Sequence, residues 1–92
     1  MNPSPQQLEY TRNVLLTLLA ANNTRFGLQA PAIVLFARSS HSLILTADEA
    51  AEHMEYLAEK GLVIEATKQI VRAARAWRIS PDGLTYLDEH GL

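Results

Sequence analysis

Thr46-Ala47-Asp48-Glu49-Ala50-Ala51-Glu52-His53-Met54-Glu55-Tyr56-Leu57-Ala58-Glu59-Lys60-Gly61-Leu62-Val63-Ile64 is the stretch whose reading organises the rest of the chain. It opens with a capping box, a Thr followed three residues later by a Glu, in which each side chain satisfies a backbone N–H near the helix start. Asp48 and Glu49 also suit the positive end of the helix dipole. Ala50, Met54, Leu57 and Ala58 form an apolar stripe at helical spacing, and Asp48, Glu52, Glu55 and Glu59 line the opposite face. Lys60 and Gly61 are stop signals. Leu62-Val63-Ile64 then reads as a strand.

Beyond it, Glu65 to Ala74 contains no strong turn residue, and Ala76-Trp77-Arg78-Ile79-Ser80 reads as the returning strand of a hairpin. Trp77 and Ile79 fall on one face by two-residue alternation, and Trp77 is expected to be a core anchor with its indole N–H at the edge. Pro81-Asp82-Gly83 punctuates, and a last helix covers Leu84 to His90.

Toward the N-terminus, Leu43-Ile44-Leu45 suggests a short extended piece and Ser39 to Ser42 a loop. A second helix, Ala32 to Arg38 with Pro31 in its first turn, is apolar almost all round and is expected to be buried. Arg25 to Gln29 is too short for a helix. The first helix runs from about Gln6 to Ala21, with Ser4 as cap, Pro5 at the first helical position and Asn22-Asn23-Thr24 as its end. Leu8, Arg12, Leu15 and Leu19 share one of its faces. Val14, Leu15, Leu16, Leu18 and Leu19 span about 200° of its circumference at 100° per residue. A helix packed on one side needs only about half that arc, so this one is either central to the core or also meets a second subunit.

With 92 residues, 48% of them hydrophobic and 20% charged, the chain is expected to form one domain over residues 1–92. No run of 18 apolar residues spans a membrane. The first residues carry no basic segment followed by an apolar one, which speaks against a secretory signal and for the cytoplasm. The chain has no cysteine, which excludes disulfide frameworks, thiolate zinc sites and cysteine nucleophiles.

The net charge of −2 conceals segregation. Residues 46–65 hold Asp48, Glu49, Glu52, Glu55, Glu59 and Glu65 against Lys60. Residues 66–80 hold Lys68, Arg72, Arg75 and Arg78 and no acid. An acidic block thus abuts a basic one, and this distribution says more about partners than the total does.

Three helices followed by a hairpin resemble a winged helix-turn-helix domain. Met54-Glu55-Tyr56-Leu57-Ala58-Glu59-Lys60-Gly61-Leu62-Val63 resembles the end of that family's recognition helix running into its first wing strand, commonly Leu-x-x-Leu-x-x-x-Gly-Leu-Val/Ile. Trp77-Arg78-Ile79-Ser80-Pro81-Asp82-Gly83-Leu84 resembles the second wing strand turning into a C-terminal helix. Phe26-Gly27-Leu28-Gln29 and the Ser39 to Leu45 loop, with these two segments, are similar to small winged-helix proteins of Mu-like bacteriophages. The resemblance implies a mainly α fold with a small β-hairpin (α+β): a three-helix core, a two-stranded wing and a C-terminal helix. One departure is the turn before the third helix, which at Ser39 to Leu45 exceeds the three or four residues of a compact helix-turn-helix.

The resemblance also implies DNA binding or regulation without catalysis. In DNA-binding relatives the start of the third helix enters the major groove. Here that would present Asp48, Glu49, Ala51, Glu52 and His53, with Tyr56 further along. DNA carries about one negative charge per 1.7 Å of axis, so this helix face opposes groove insertion, and His53 and Tyr56 are the least hostile base contacts. Lys68, Arg72, Arg75 and Arg78 on the wing point the other way, toward backbone phosphates. Their bland alternative is surface pairing with the acidic helix, and Asp48, Glu49 and the other acids can equally be a capped, solvated helix face. The rival function is a protein-interaction module presenting Asp48, Glu52, Glu55 and Glu59 to a basic partner. A homodimer through the first and last helices is a further expectation, as is the absence of any membrane partner; Tyr10 and Tyr86 are either partly exposed helix residues or part of that dimer contact. Other chemistry has thin support. Glu49 and His53 stand four apart and can share a metal, but a surface pair is the simpler reading. Ser39, Ser40 and Ser42 near His41 lack a nucleophile turn, and no glycine-rich loop cradles a phosphate. No catalytic residue, metal or cofactor is assigned.

Overall fold

Three of the helices among the described residues begin where the sequence supplies a side-chain oxygen to cap them. The computed structural model describes residues 4–67 and 75–90. Helix α1, Pro5–Ala21, starts with a complete Ser4/Gln7 capping box and Pro5 in its first turn. Helix α3, Ala47–Glu59, has the expected Thr46/Glu49 box, with both bonds at 3.0–3.1 Å. It stops at Gly61, whose φ of +75° a side chain rarely adopts, and the Leu62 N–H closes the end on the Leu57 carbonyl.

Between α1 and α3 lie strand β1, Leu28–Gln29, and helix α2, Ala30–His41. Strands β2, Val63–Thr67, and β3, Ala76–Ile79, follow α3, and helix α4, Pro81–Glu89, ends the described chain. The fold is mainly helical with a small antiparallel sheet, in the α+β class. The hairpin expectation requires correction: the sheet has three strands in the order β1-β3-β2. Leu28 faces Trp77 and Gln29 faces Ala76, while Val63 faces Ile79 and Ile64 faces Arg78. A bulge between Glu65 and Thr67 shifts the β2 register. Gly27 makes β1 possible. Its φ is +70°, and a Cβ there would stand 2.6 Å from the Trp77 carbonyl oxygen, so only glycine lets the chain come this close to β3.

Two further corrections concern α2. It extends three residues past Arg38, so Ser39, Ser40 and His41 are helical, not loop. Ser42 in the left-handed region closes it, its N–H bonding to the Ala37 and Arg38 carbonyls, and Arg38 and His41 suit the negative end of the dipole. The turn before α3 shrinks to residues 42–46, and Leu43-Ile44-Leu45 forms no strand. Nor is α2 buried all round. Ala30, Ile33 and Ala37 face the core, while Leu35 is 61% exposed.

The core joins α1, α2, α3, β2, β3 and α4 in one cluster in which Leu15, Leu16, Ile33, Met54, Leu57 and Trp77 are sealed. The whole 14–19 arc of α1 is covered within the chain, so the first option of the sequence reading applies and the arc requires no second subunit. Helix α4 begins three residues before the expected Leu84. Ser80 caps it by accepting from the Gly83 N–H at 2.9 Å, and it also donates to the Gly61 carbonyl at 2.6 Å. One buried hydroxyl thus ties the start of α4 to the end of α3. Ser80→Ala is expected to cost about 2 kcal/mol, a lost cap plus a stranded carbonyl. Urea titration followed by circular dichroism checks this, and a loss below about 0.5 kcal/mol would mean that water replaces both bonds.

Candidate nucleic-acid interface

The acidic and basic residues singled out by charge lie on adjoining elements. On α3, Asp48, Glu49, Glu52 and Glu59 are exposed, while Glu55 and His53 are half-buried. The helix period makes this unavoidable: with Ala50, Ala51, Met54 and Leu57 inward, the acids must face out. On β3, Arg78 is exposed between buried Trp77 and Ile79, as strand alternation requires. Lys68 and Arg72 lie outside the described residues, in the connector from β2 to β3.

Arg75, at the end of that connector, is engaged inside the fold. Its Nε and Nη2 donate to the two Glu65 carboxylate oxygens at 3.0 and 2.9 Å, the two-pronged pairing that arginine geometry favours. Its Nη1 reaches Glu55 on α3 at 3.3 Å. The guanidinium also lies over the Trp77 ring, 4.7 Å from its centre. Arg75 therefore fastens the sheet to α3. The sequence showed four equivalent cations in this region; the bulged register of β2 and the approach of α3 distinguish this one.

Tyr56 is 38% exposed, but one face of its ring is taken. The Arg12 guanidinium of α1 stacks 3.6 Å above the ring centre, and Lys60 Nζ stands 5.5 Å away. Arg12 is the residue whose part the sequence reading missed. Its signal was a lone cation within the apolar face Leu8-Arg12-Leu15-Leu19.

His53 holds its proton less readily than a free imidazole, whose pKa is 6.5. Burial is the main cause and the Arg12 charge the next, with Glu49 and Glu52 opposing both. Just below pH 6.5 the unfolded chain thus binds a proton that the folded chain refuses, so unfolding free energy rises with pH there. The contribution of neutral His53 is complete above pH 6.5 and is lost as the pH falls through that value toward the lower folded one. The melting temperature should drop between about pH 7.5 and pH 5.5, and His53→Gln should flatten that part of the profile. An unchanged slope in the variant would assign the effect elsewhere.

Among the described residues no group of three His, Cys, Asp or Glu side chains is placed to hold a metal, and no helix is long and apolar enough to cross a membrane. Tyr10, 59% exposed on α1, and Tyr86 of α4, stacked on His90 with ring centres 4.1 Å apart, line different grooves. No protein-family model matches the chain, and neither any curated protein nor any solved structure does.

Proposed function

We propose that the chain is a winged helix-turn-helix module that works by docking, without catalysis, and that it contacts the DNA backbone through the basic β2–β3 connector. The element order α1-β1-α2-α3-β2-β3 with strand order β1-β3-β2 supports the fold assignment, with β1 as the third strand of the winged-helix sheet. The observation that carries the function is the charge of the connector and its strand. Lys68 and Arg72 sit in the segment joining two antiparallel strands, Arg78 is exposed on one of them, and residues 66–80 contain no acid. Such cations neutralise phosphates and fix orientation without reading sequence. The α3 face stays outside the groove because four exposed carboxylates would meet phosphate there. In this reading His53 and Tyr56 are poor base contacts, the first half-buried and the second stacked under Arg12.

The test is anisotropy of a fluorescent mixed-sequence duplex at several salt concentrations, against Lys68→Ala/Arg72→Ala/Arg78→Ala. Arg75 stays in place because it holds the sheet to α3. Three phosphate contacts give a log–log salt slope of about −2.7, at about −0.9 for each. Binding with such a slope, lost in the triple variant, supports the reading; no binding at low salt sinks it.

The exposure of Asp48, Glu52 and Glu59 together favours a second reading, in which α3 docks a basic protein surface and Glu55 helps orient the sheet through Arg75. Asp48→Asn/Glu52→Gln/Glu59→Gln separates the two. Neutralisation should strengthen DNA binding if the connector is the interface, whereas duplex affinity absent before and after the change leaves the protein-docking reading.

A further inference from the structure

We propose that the groove between α1, α3 and α4 binds a small organic carboxylate with an apolar body. This groove, about 390 Å³ in volume, is within the range of small-molecule sites. Its floor is apolar, with the sealed side chains of Leu16 and Leu57 beneath it. Its charge is set by Arg12 and Lys60, which flank the Tyr56 ring.

Among the described residues neither cation forms an ion pair. Arg12 is half-buried, and its Nε is sealed from solvent with no hydrogen-bond partner. The tyrosine face attracts the guanidinium, and its two Nη groups, which are not sealed as Nε is and have no protein partner among the described residues, can meet a carboxylate side by side. Glu9, three residues before Arg12, also lines the groove and opposes an anion. It is exposed, so water and salt screen it more than they screen Arg12. Two cations over an apolar floor select a ligand with one anionic group and a hydrocarbon or aromatic remainder. A fully hydrated inorganic anion gains nothing from the floor, and a neutral compound leaves Arg12 unmet.

The probe is 4-phenylbutyrate, titrated into the full chain with amide chemical shifts as readout, beside 4-phenylbutan-1-ol and inorganic phosphate. The expected result is saturable shifts at Arg12, Lys60 and Tyr86 with a dissociation constant of about 1 mM or tighter. The alcohol and inorganic phosphate should each bind at least about tenfold more weakly, and Arg12→Gln should weaken phenylbutyrate by a similar factor. Lys60→Gln, at an exposed position, provides a second arm that does not disturb the packing, should Arg12→Gln fold poorly. No saturable shift, equal binding of the alcohol or of phosphate, or unchanged affinity in Lys60→Gln and in any folded Arg12→Gln would overturn the proposal.

Discussion

Trp77→Ala should lower the unfolding free energy by about 3–5 kcal/mol, the cost of removing a large aromatic from a sealed core. Trp77 is 1% exposed, sits centrally in β3 and is the largest sealed side chain in the protein. Its backbone pairs with both β1 and β2, so its side chain sits where the sheet meets the helices. Small domains have only about 5–15 kcal/mol in total, so the variant should lose a large part of its denaturant resistance. Urea titration read by far-ultraviolet circular dichroism is the appropriate assay, because the substitution removes the fluorophore. A cost below about 1 kcal/mol would place Trp77 at the surface. The indole N–H is not at an edge, as the sequence suggested, but buried without a partner. Trp77→Phe therefore removes an unsatisfied donor along with volume, and should cost clearly less than Trp77→Ala.

Gly83→Ala should destabilise by about 2–3 kcal/mol, against the sign of helix propensity. Within a helix, alanine is favoured over glycine by about 1 kcal/mol. A Cβ at position 83, however, would collide with the Leu62 carbonyl oxygen and lie 2.6 Å from Ile79 Cγ1. The first obstacle is backbone and cannot rotate away, so α4 would have to lift from the sheet, at an overpacking cost that exceeds the propensity gain. Thermal unfolding of the variant decides between the two terms. An unchanged or raised melting temperature would mean that α4 is free to shift without loss.

These two positions show what kind of information the sequence carries. Trp77 was readable as core because alternation with Ile79 is a local pattern. Gly83 was read as punctuation because its constraint comes from Leu62, twenty-one residues earlier, through the close approach of α4 to the start of β2. Strand β1 went unread for the same reason. Two residues have no period, and their pairing with Ala76 and Trp77 lies nearly fifty residues away. The early end placed on α2 came from treating Ser39 and Ser40 as loop formers, a weak propensity that helix continuation overrides when the last carbonyls find the Ser42 and Leu43 N–H groups.

The candidate site divides similarly. The acidic face of α3 was legible because helix period and apolar stripe fix which residues point outward. The difference between Arg75 and Arg78 was not. Both are arginines on or beside one strand, yet one is clasped by Glu55 and Glu65 and the other is exposed. Arg12 was visible only as an oddity in an apolar face.

By itself the sequence determined the capped starts of α1 and α3, the stop at Gly61, the apolar stripes and the segregation of charge, since capping bonds and periodicity act within a few residues. Only the tertiary structure decided the third strand, the clasp on Arg75 and the unpaired Arg12 over Tyr56, because each depends on side chains brought together from distant parts of the chain, where packing and desolvation outweigh local preference.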